Sequence, residues 1–416
     1  MPSFPRLFMR DLPADFSRLC FASLATNLGD GALLAAGPLL VASLTTSPGA
    51  VGAAVVVQQL PWLLFSLFSG VIVDRLDRRR LVIVVNVCRS LVLVTLTVLI
   101  AFHVAPLGAI YSALFLLGTG ETLADNAVGA LTVSAVRGED LGRANAQMSL
   151  TFTVGNQLAG PPLGALLFAV GHALPFGFHA VAFALAAFLV WRTALHPARL
   201  SAEGPPVSEA SHVIPDLAVG LRWVSRHSAL RILVVSIAVM DVVFAVAFVT
   251  WVLYGVEVLG LTDFQFGLLI TSSAIGGLAG PAVYGWAEPR FGRPTLVRFG
   301  MAFEAMVHLA LATTPPAWAV YGIMAAFGVH TMVWGAAFTT LRQQATPDAL
   351  LGRVTSVYMT ASVGGAAIGS ALGALIAEYF GLTAGFWIGF ITMCGVAALS
   401  WRPLAALETD SPRTNR

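Results

Sequence analysis

Four carboxylates interrupt runs of apolar sequence in which a charge is expensive: Asp30, Glu121, Asp125 and Asp241. A charged side chain at the middle of a membrane-spanning helix costs about 2.5–3.5 kcal/mol on insertion scales, so such residues face a wet interior and mark ion or proton pathways. Glu121 and Asp125 stand four apart, on one helical face with β-carbons about 5–6 Å from each other. Two carboxylates that close in a poor dielectric resist ionising together, the chemistry of a pair that carries a proton. His330 and Trp334 repeat this spacing, and so do Glu304 and His308, which read as an interhelical polar contact. Phe244, Phe248 and Trp251 follow Asp241 at steps of 3, 4 and 3. That stripe beside a carboxylate suits an amphipathic, cationic substrate, and it equally suits core packing. His103, His172 and His179 fall at or near the outer ends of apolar runs and read as surface residues.

The elements that position these groups follow from composition. Of 416 residues, 57% are hydrophobic and 11% charged, with a mean hydropathy of +0.83. Soluble domains carry about 25% charged residues, so most of this chain faces away from water. Apolar runs fall at 17–44, 50–73, 81–102, 107–135, 146–170, 174–191, 230–256, 264–285, 295–313, 317–341, 354–379 and 384–401. Each approaches the roughly 20 residues that cross a bilayer, which predicts twelve spans. Pro, Gly or charge marks the breaks between them. The chain contains no lysine, and all 23 basic residues are arginines in alternate loops and their flanks, the linker or the tails. The positive-inside rule then puts both termini in the cytoplasm. The N-terminal lead lacks the apolar core and small-residue cleavage site of a signal peptide. Residues 192–229 read as a linker between an N-terminal bundle over 1–191 and a C-terminal bundle with its tail over 230–416.

The halves repeat. Gly52 to Leu81 overlays Gly267 to Leu296 at an offset of 215, Tyr111 to Arg143 overlays Tyr321 to Arg353 at 210, and Gly160 to Leu166 overlays Gly369 to Leu375 at 209. Asp30 and Asp241 match at 211. Two parallel six-helix repeats are a transporter architecture. A net charge of +2 gives no reason to expect nucleic acid as a partner, and Cys20, Cys88 and Cys394 lie in apolar stretches without a pairing or zinc motif. The absence of lysine excludes a nucleotide-binding P-loop, and no catalytic constellation, metal site or cofactor site is expected. An ion gradient, or the substrate's own, must supply the energy.

Gly70-Val-Ile-Val-Asp74-Arg75-Leu-Asp77-Arg78-Arg79-Arg80 resembles the signature loop of the major facilitator superfamily, and the resemblance covers nearly the whole chain. Leu28-Gly29-Asp30-Gly31, Leu141-Gly142-Arg143-Ala144-Asn145-Ala146 and Thr340-Leu-Arg-Gln-Gln344 with Pro347-Asp348 and Gly352-Arg353-Val354 resemble the branch holding macrolide-type drug exporters and enterobactin exporters. The resemblance implies an all-α membrane fold of two six-helix bundles with spans 1, 4, 7 and 10 lining the cavity. Asp30, Glu121, Asp125, Asp241, His330 and Trp334, with Phe244, Phe248 and Trp251, are then the expected substrate and proton residues; a structural role for Asp30 in a bent helix stays open. It also implies a cytoplasmic gate of Gly70, Asp74, Arg75, Arg78 and Arg79, with Gly285, Arg290 and Arg293 in the second half. There Asp74 would shut the cytoplasmic side against the start of span 11, unless the arginines serve topology alone. The second loop has Pro289 at the aspartate position and Glu288 one residue earlier, so a second latch is not expected.

Asn156-Gln-Leu-Ala-Gly160-Pro161-Pro162-Leu-Gly164-Ala165 resembles the fifth-helix motif of superfamily antiporters, with Asn156 and Ala165 at two of its glycine positions. Gly160, Pro161 and Gly164 would form a bent, closely packed surface, and ordinary small-residue packing is the alternative. The arginine often found in helix 4 of such antiporters is missing. Coupling would rest on carboxylates alone, or on Arg89 reaching in from span 3. The expected protein is a monomeric, multi-pass transporter of a bacterial inner membrane, exchanging amphipathic drugs, siderophores or natural products for protons. An uptake symporter or facilitator of the same fold and a non-transporting receptor are the competing readings.

Overall fold

The computed structural model describes residues 13–194, 213–347 and 350–409, and every regular element in them is helical. The first helices are α1 (Ala14–Leu44), α2 (Pro48–Arg75), α3 (Arg78–Ala101) and α4 (Leu107–Ala135). A broken run follows: α5 (Leu141–Thr151), a π-helical stretch (Phe152–Ala159) and α6 (Gly160–Val170). Next come α7 (Leu174–Trp191), α8 (Val213–Arg226), α9 (Ser228–Phe248) and the short α10 (Trp251–Leu253) with a second π stretch (Tyr254–Val258). The chain continues through α11 (Asp263–Phe291), α12 (Arg293–Ala312), α13 (Ala317–Gln344), α14 (Leu351–Phe380) and α15 (Ala384–Thr409). Among the described residues eleven helices are long and apolar enough to cross a bilayer. Proline, pre-set for the helical φ and lacking a donor that a helix start does not need, opens or immediately precedes α1, α2, α4 and α13.

Two expected spans differ in detail. The run through 146–170 is not one helix bent at proline. Pro161 and Pro162 withhold the N–H groups that would bond the carbonyls of Gln157 and Leu158. The turn before them widens to π geometry, with Gly160 N–H bonded to Gly155 O. The Thr271 hydroxyl donates to the freed Leu158 carbonyl at 3.2 Å. The run expected over 230–256 is also divided, because α9 stops at Phe248 before two consecutive β-branched residues, Val249 and Thr250, which are poor in a helix. The stretch read as a linker carries α8. Val224 of that helix packs with Leu230, Val234, Val354 and Val357 in a small apolar cluster.

Contacts divide the chain into two units. The first takes the chain through Thr45, from Ala54 into the linker, and Thr262–Thr271; the second takes Thr46–Ala53, α8 to Leu261, and the chain from Ser272 onward. The first eight residues after Thr45 and the first ten after Leu261 thus each group with the other repeat. Within the first unit, α6 lies directly on α1. A β-carbon at Gly164 would stand 2.1 Å from the Ala32 carbonyl oxygen. In the second unit the repeat-equivalent residue, Gly373 of α14, lies just as tightly on α9, where a β-carbon would be 2.5 Å from Val246 O. The duplication seen in sequence is therefore a duplication of packing. Apolar cores lie inside each unit, around Phe16, Leu19 and Leu131 in the first and Met301, Phe338 and Met393 in the second.

Gly164→Ala should lower the melting temperature of the purified protein in detergent, since overpacking at such a contact costs about 1–3 kcal/mol. Gly335→Ala, whose β-carbon meets nothing within 4 Å, should melt at or slightly above the parent temperature. Equal melting of the two variants would refute the close packing of α1 on α6.

Candidate functional site

In the first unit, helical periodicity sets Ser23, Thr26, Asn27 and Asp30 along one face of α1. Asn86 and Arg89 of α3, and Glu121 and Asp125 of α4, face the same small cavity of about 60 Å³. Arg89 Nη2 donates to Asp30 Oδ1 at 3.0 Å, and His179 Nε2 of α7 lies 3.1 Å from the same oxygen. The Arg89 side chain is 4% exposed, that of His179 1% and that of Asp30 18%, so this is a buried, charged constellation.

Its neighbours are shaped around it. The Arg89 guanidinium rests 3.9 Å above the Phe183 ring, and its aliphatic stem runs over Gly120. The His179 ring packs on Phe183 at 4.2 Å between centroids. A β-carbon at Gly29 would stand 2.0 Å from the His179 ring, which gives a steric reason for glycine beside Asp30. Trp62 hydrogen-bonds the Glu121 carboxyl. Asn86 Oδ1 and Arg89 Nε are buried without a hydrogen-bond partner. Buried polar atoms of this kind in a polar cavity are the usual seats of water.

The second unit holds a larger cavity of about 190 Å³, lined by Asp241, Phe244, Glu304, Phe327, His330 and Trp334 among others. His330 Nε2 is 3.6 Å from Glu304 Oε2, and both side chains are over nine-tenths buried. Trp334 Nε1 donates to Val297 O at 3.3 Å, which fixes the indole as wall. Phe244 and Phe327 stack with centroids 5.7 Å apart and ring planes 6° from parallel. Ser362 hydrogen-bonds the Asp241 carboxyl, whose Oδ2 is buried without a partner.

The expected site residues are thus gathered into two groups, one per unit. Phe248 and Trp251 do not line the second cavity. Phe248, the last residue of α9, stacks behind Phe244 at 4.4 Å and packs on Phe386 at 5.6 Å, whereas Trp251, past the break, stacks on Tyr254 at 5.3 Å. His179 corrects the surface reading, being buried on α7 against Asp30, whereas His103 and His172 are exposed as expected. Glu304 of α12 makes an interhelical polar contact, with His330 of α13, as expected, and in addition lines the cavity with Asp241, while His308 Nδ1 pairs with the Glu304 backbone oxygen at 2.9 Å. A stronger sequence signal was available for both, namely charged or imidazole side chains inside apolar runs.

At the loop between α2 and α3, the side chains of Gly70, Asp74 and Arg75 lie outside the described residues. The neighbouring Asp77 caps α3, accepting from Arg80 N–H at 2.9 Å. Arg79 ties the start of α3 to the end of α7, donating to Val190 O at 3.2 Å and to Trp191 O. Arg78 is half-buried. In the second unit Glu288 pairs with Arg293 at 2.8 Å, Arg290 donates to Trp286 O and lies over that indole, and Gly285 faces open space.

A family model described as transmembrane secretion effector matches residues 13–415. The chain belongs to that family, within the major facilitator superfamily. The transporter is 27% identical over 346 residues to the enterobactin exporter EntS of Escherichia coli O1:K1, a match covering 82% of this chain and 80% of the relative. The Citrobacter koseri protein of the same name is 26% identical over 345 residues, with the same coverage. Among solved structures, a point mutant of the nucleoside transporter NupG superposes with a TM-score of 0.74 at 11% identity, covering 94% of this chain and 99% of that one. A bacterial homologue of the iron transporter ferroportin, in its inward-facing state, gives 0.71 at 16%, covering 94% and 100%. At these identities the two structures speak to fold alone. The protein is a multi-pass membrane transporter and not an enzyme.

Arg89→Met should destabilise the transporter by about 3–5 kcal/mol, because it takes from the buried Asp30 carboxylate its cationic partner. Asp30→Asn combined with Arg89→Met should recover most of the lost thermal stability. Additive losses in this double-mutant cycle would show that the pair is not an energetic unit.

Proposed function

We propose that the transporter is a twelve-span exporter that expels amphipathic small molecules, such as drugs, siderophores or natural products, in exchange for protons. The eleven continuous spans and the divided run from Leu141 to Val170 make up the twelve, with both termini in the cytoplasm of a bacterial cell and the monomer as the working unit. The mechanism is alternating access, in which the two repeats reorient so that the cavities open first to one side of the membrane and then to the other.

The observation that carries this reading is the cluster of Asp30, Arg89, Glu121 and Asp125 around one cavity inside an apolar bundle, with His179 set against Asp30. Buried charge of this density is costly in a membrane and is kept where it binds or moves an ion. Arg89 is already committed to Asp30, so a proton arriving on Asp30 frees the guanidinium toward Glu121 and Asp125, which share the cavity. That exchange gives the bundle two charge arrangements, which an antiporter needs. The similarity to proteins named as enterobactin exporters supports outward transport and brings siderophores into the substrate range. Asp74, with Arg75, Arg78 and Arg79, forms the cytoplasmic gate, and the Gly160-Pro161 and Gly164 surface is where the first repeat flexes.

Glu121→Gln and Asp241→Asn should each abolish transport driven by a pH gradient in proteoliposomes while leaving exchange of labelled for unlabelled substrate measurable. Unchanged gradient-driven transport in both would remove these carboxylates from coupling.

A further inference from the structure

The two cavities are repeat-related but carry opposite chemistry at one position. The offset of 215 that overlays α2 on α11 also sets the first residue of α3, Arg78, on the first residue of α12, Arg293. Carried along those helices, it places Arg89 on Glu304. Asp30 and Asp241 correspond at 211. Where the first unit sets an arginine against its aspartate at 3.0 Å, the second sets a glutamate beside its aspartate. The acids on α4 have no counterpart either, since Glu121 and Asp125 correspond at 210 to Thr331 and Gly335 of α13.

The surroundings diverge with the charge. The first cavity is small, about 60 Å³, and ringed by Ser23, Thr26, Asn27 and Asn86. The second is about 190 Å³, and its wall is aromatic, with Phe244 and Phe327 stacked face to face and Trp334 held by its bond to Val297 O. Two acids, a buried carboxylate oxygen of Asp241 without a hydrogen-bond partner, and aromatic faces are the ingredients of a cage for an organic ammonium group. A metal is disfavoured, because no group of three His, Cys, Asp or Glu among the described residues is placed to hold one. Drug-sized sites occupy about 300–1,000 Å³, so this cavity fits a headgroup and not a whole drug.

We infer that the cavity of the second unit, built from Asp241, Glu304, Phe244, Phe327 and Trp334, is a subsite for the alkylammonium headgroup of an amphipathic substrate. The inference rests on the exporter reading and narrows it, adding cation recognition to the second repeat, where headgroup and proton compete for Asp241. His330, 3.6 Å from Glu304, holds that carboxylate in place when the headgroup is absent. The neutral Thr331 on the same wall leaves room for it.

Binding of tritiated benzyltrimethylammonium to the full-length protein in lipid nanodiscs, read by scintillation proximity without any gradient, tests this. Saturable binding is expected. Glu304→Gln and Asp241→Asn should each weaken it about tenfold or more, which is about 1.4 kcal/mol or more. Phe327→Leu, which keeps an apolar wall but removes the ring face, should weaken it several-fold with an unchanged melting temperature, so a folding defect in the acid variants leaves the test intact. No saturable binding, or parental affinity in both Asp241→Asn and Phe327→Leu, would overturn the subsite. Proton-linked transport that persists without cation binding refutes the inference and spares the exporter reading. Cation binding without any proton-linked transport does the reverse.

Discussion

The contact between Asp30 and Arg89, joined by His179, is the constraint on which the first repeat is arranged. Breaking an ion pair that has been removed from water leaves an uncompensated buried charge, so the geometry of the pair constrains what surrounds it. Here α3 and α7 each bring one residue to the Asp30 carboxylate of α1, and the surrounding sequence is fitted to that meeting. Gly29 leaves space for the imidazole, Gly120 for the arginine stem, and Phe183 lies against both the guanidinium and the imidazole. The close approach of α6 to α1 through Gly164 fixes the depth of the helix that carries Asp30. Altering any of these moves the charges before it alters anything else.

The second repeat keeps the scaffold and changes the content. Its glycine-lined contact between α9 and α14 matches that between α1 and α6, so the backbone frame is conserved between repeats while the polar centre is not. A frame that packs through small residues leaves side chains at the cavity free to diverge, because they bear little of the packing. This is how one duplicated unit supplies two cavities of different size and polarity.

Much of this was legible in the chain. Apolar runs broken by proline and glycine located the spans, and acids within those runs located the cavities, because both signals come from the cost of burying polar groups in lipid. Three features were not legible, for definite reasons. The π stretch at Phe152–Ala159 is a shift of hydrogen-bond register that leaves composition unchanged, although Pro161-Pro162 marks the carbonyls that cause it. His179 reads as a surface residue by its nearness to a helix start; only the packing of α7 on α1 and α3 brings it to Asp30. The break after Phe248 divides an aromatic stripe that spacing alone presents as continuous, which is why Phe244 faces the cavity and Trp251 does not.

The central claim is that the acids of both units stay in exchange with water inside an apolar bundle. Infrared difference spectra of the purified protein, taken across a pH step and repeated in heavy water, test it directly. The account predicts a carboxylic acid C=O band that appears on acidification, shifts in heavy water within seconds, and shrinks when Glu121, Asp125 or Asp241 is replaced by its amide. A spectrum with no such band, or one that ignores heavy water, would mean that these groups are sealed structural charges.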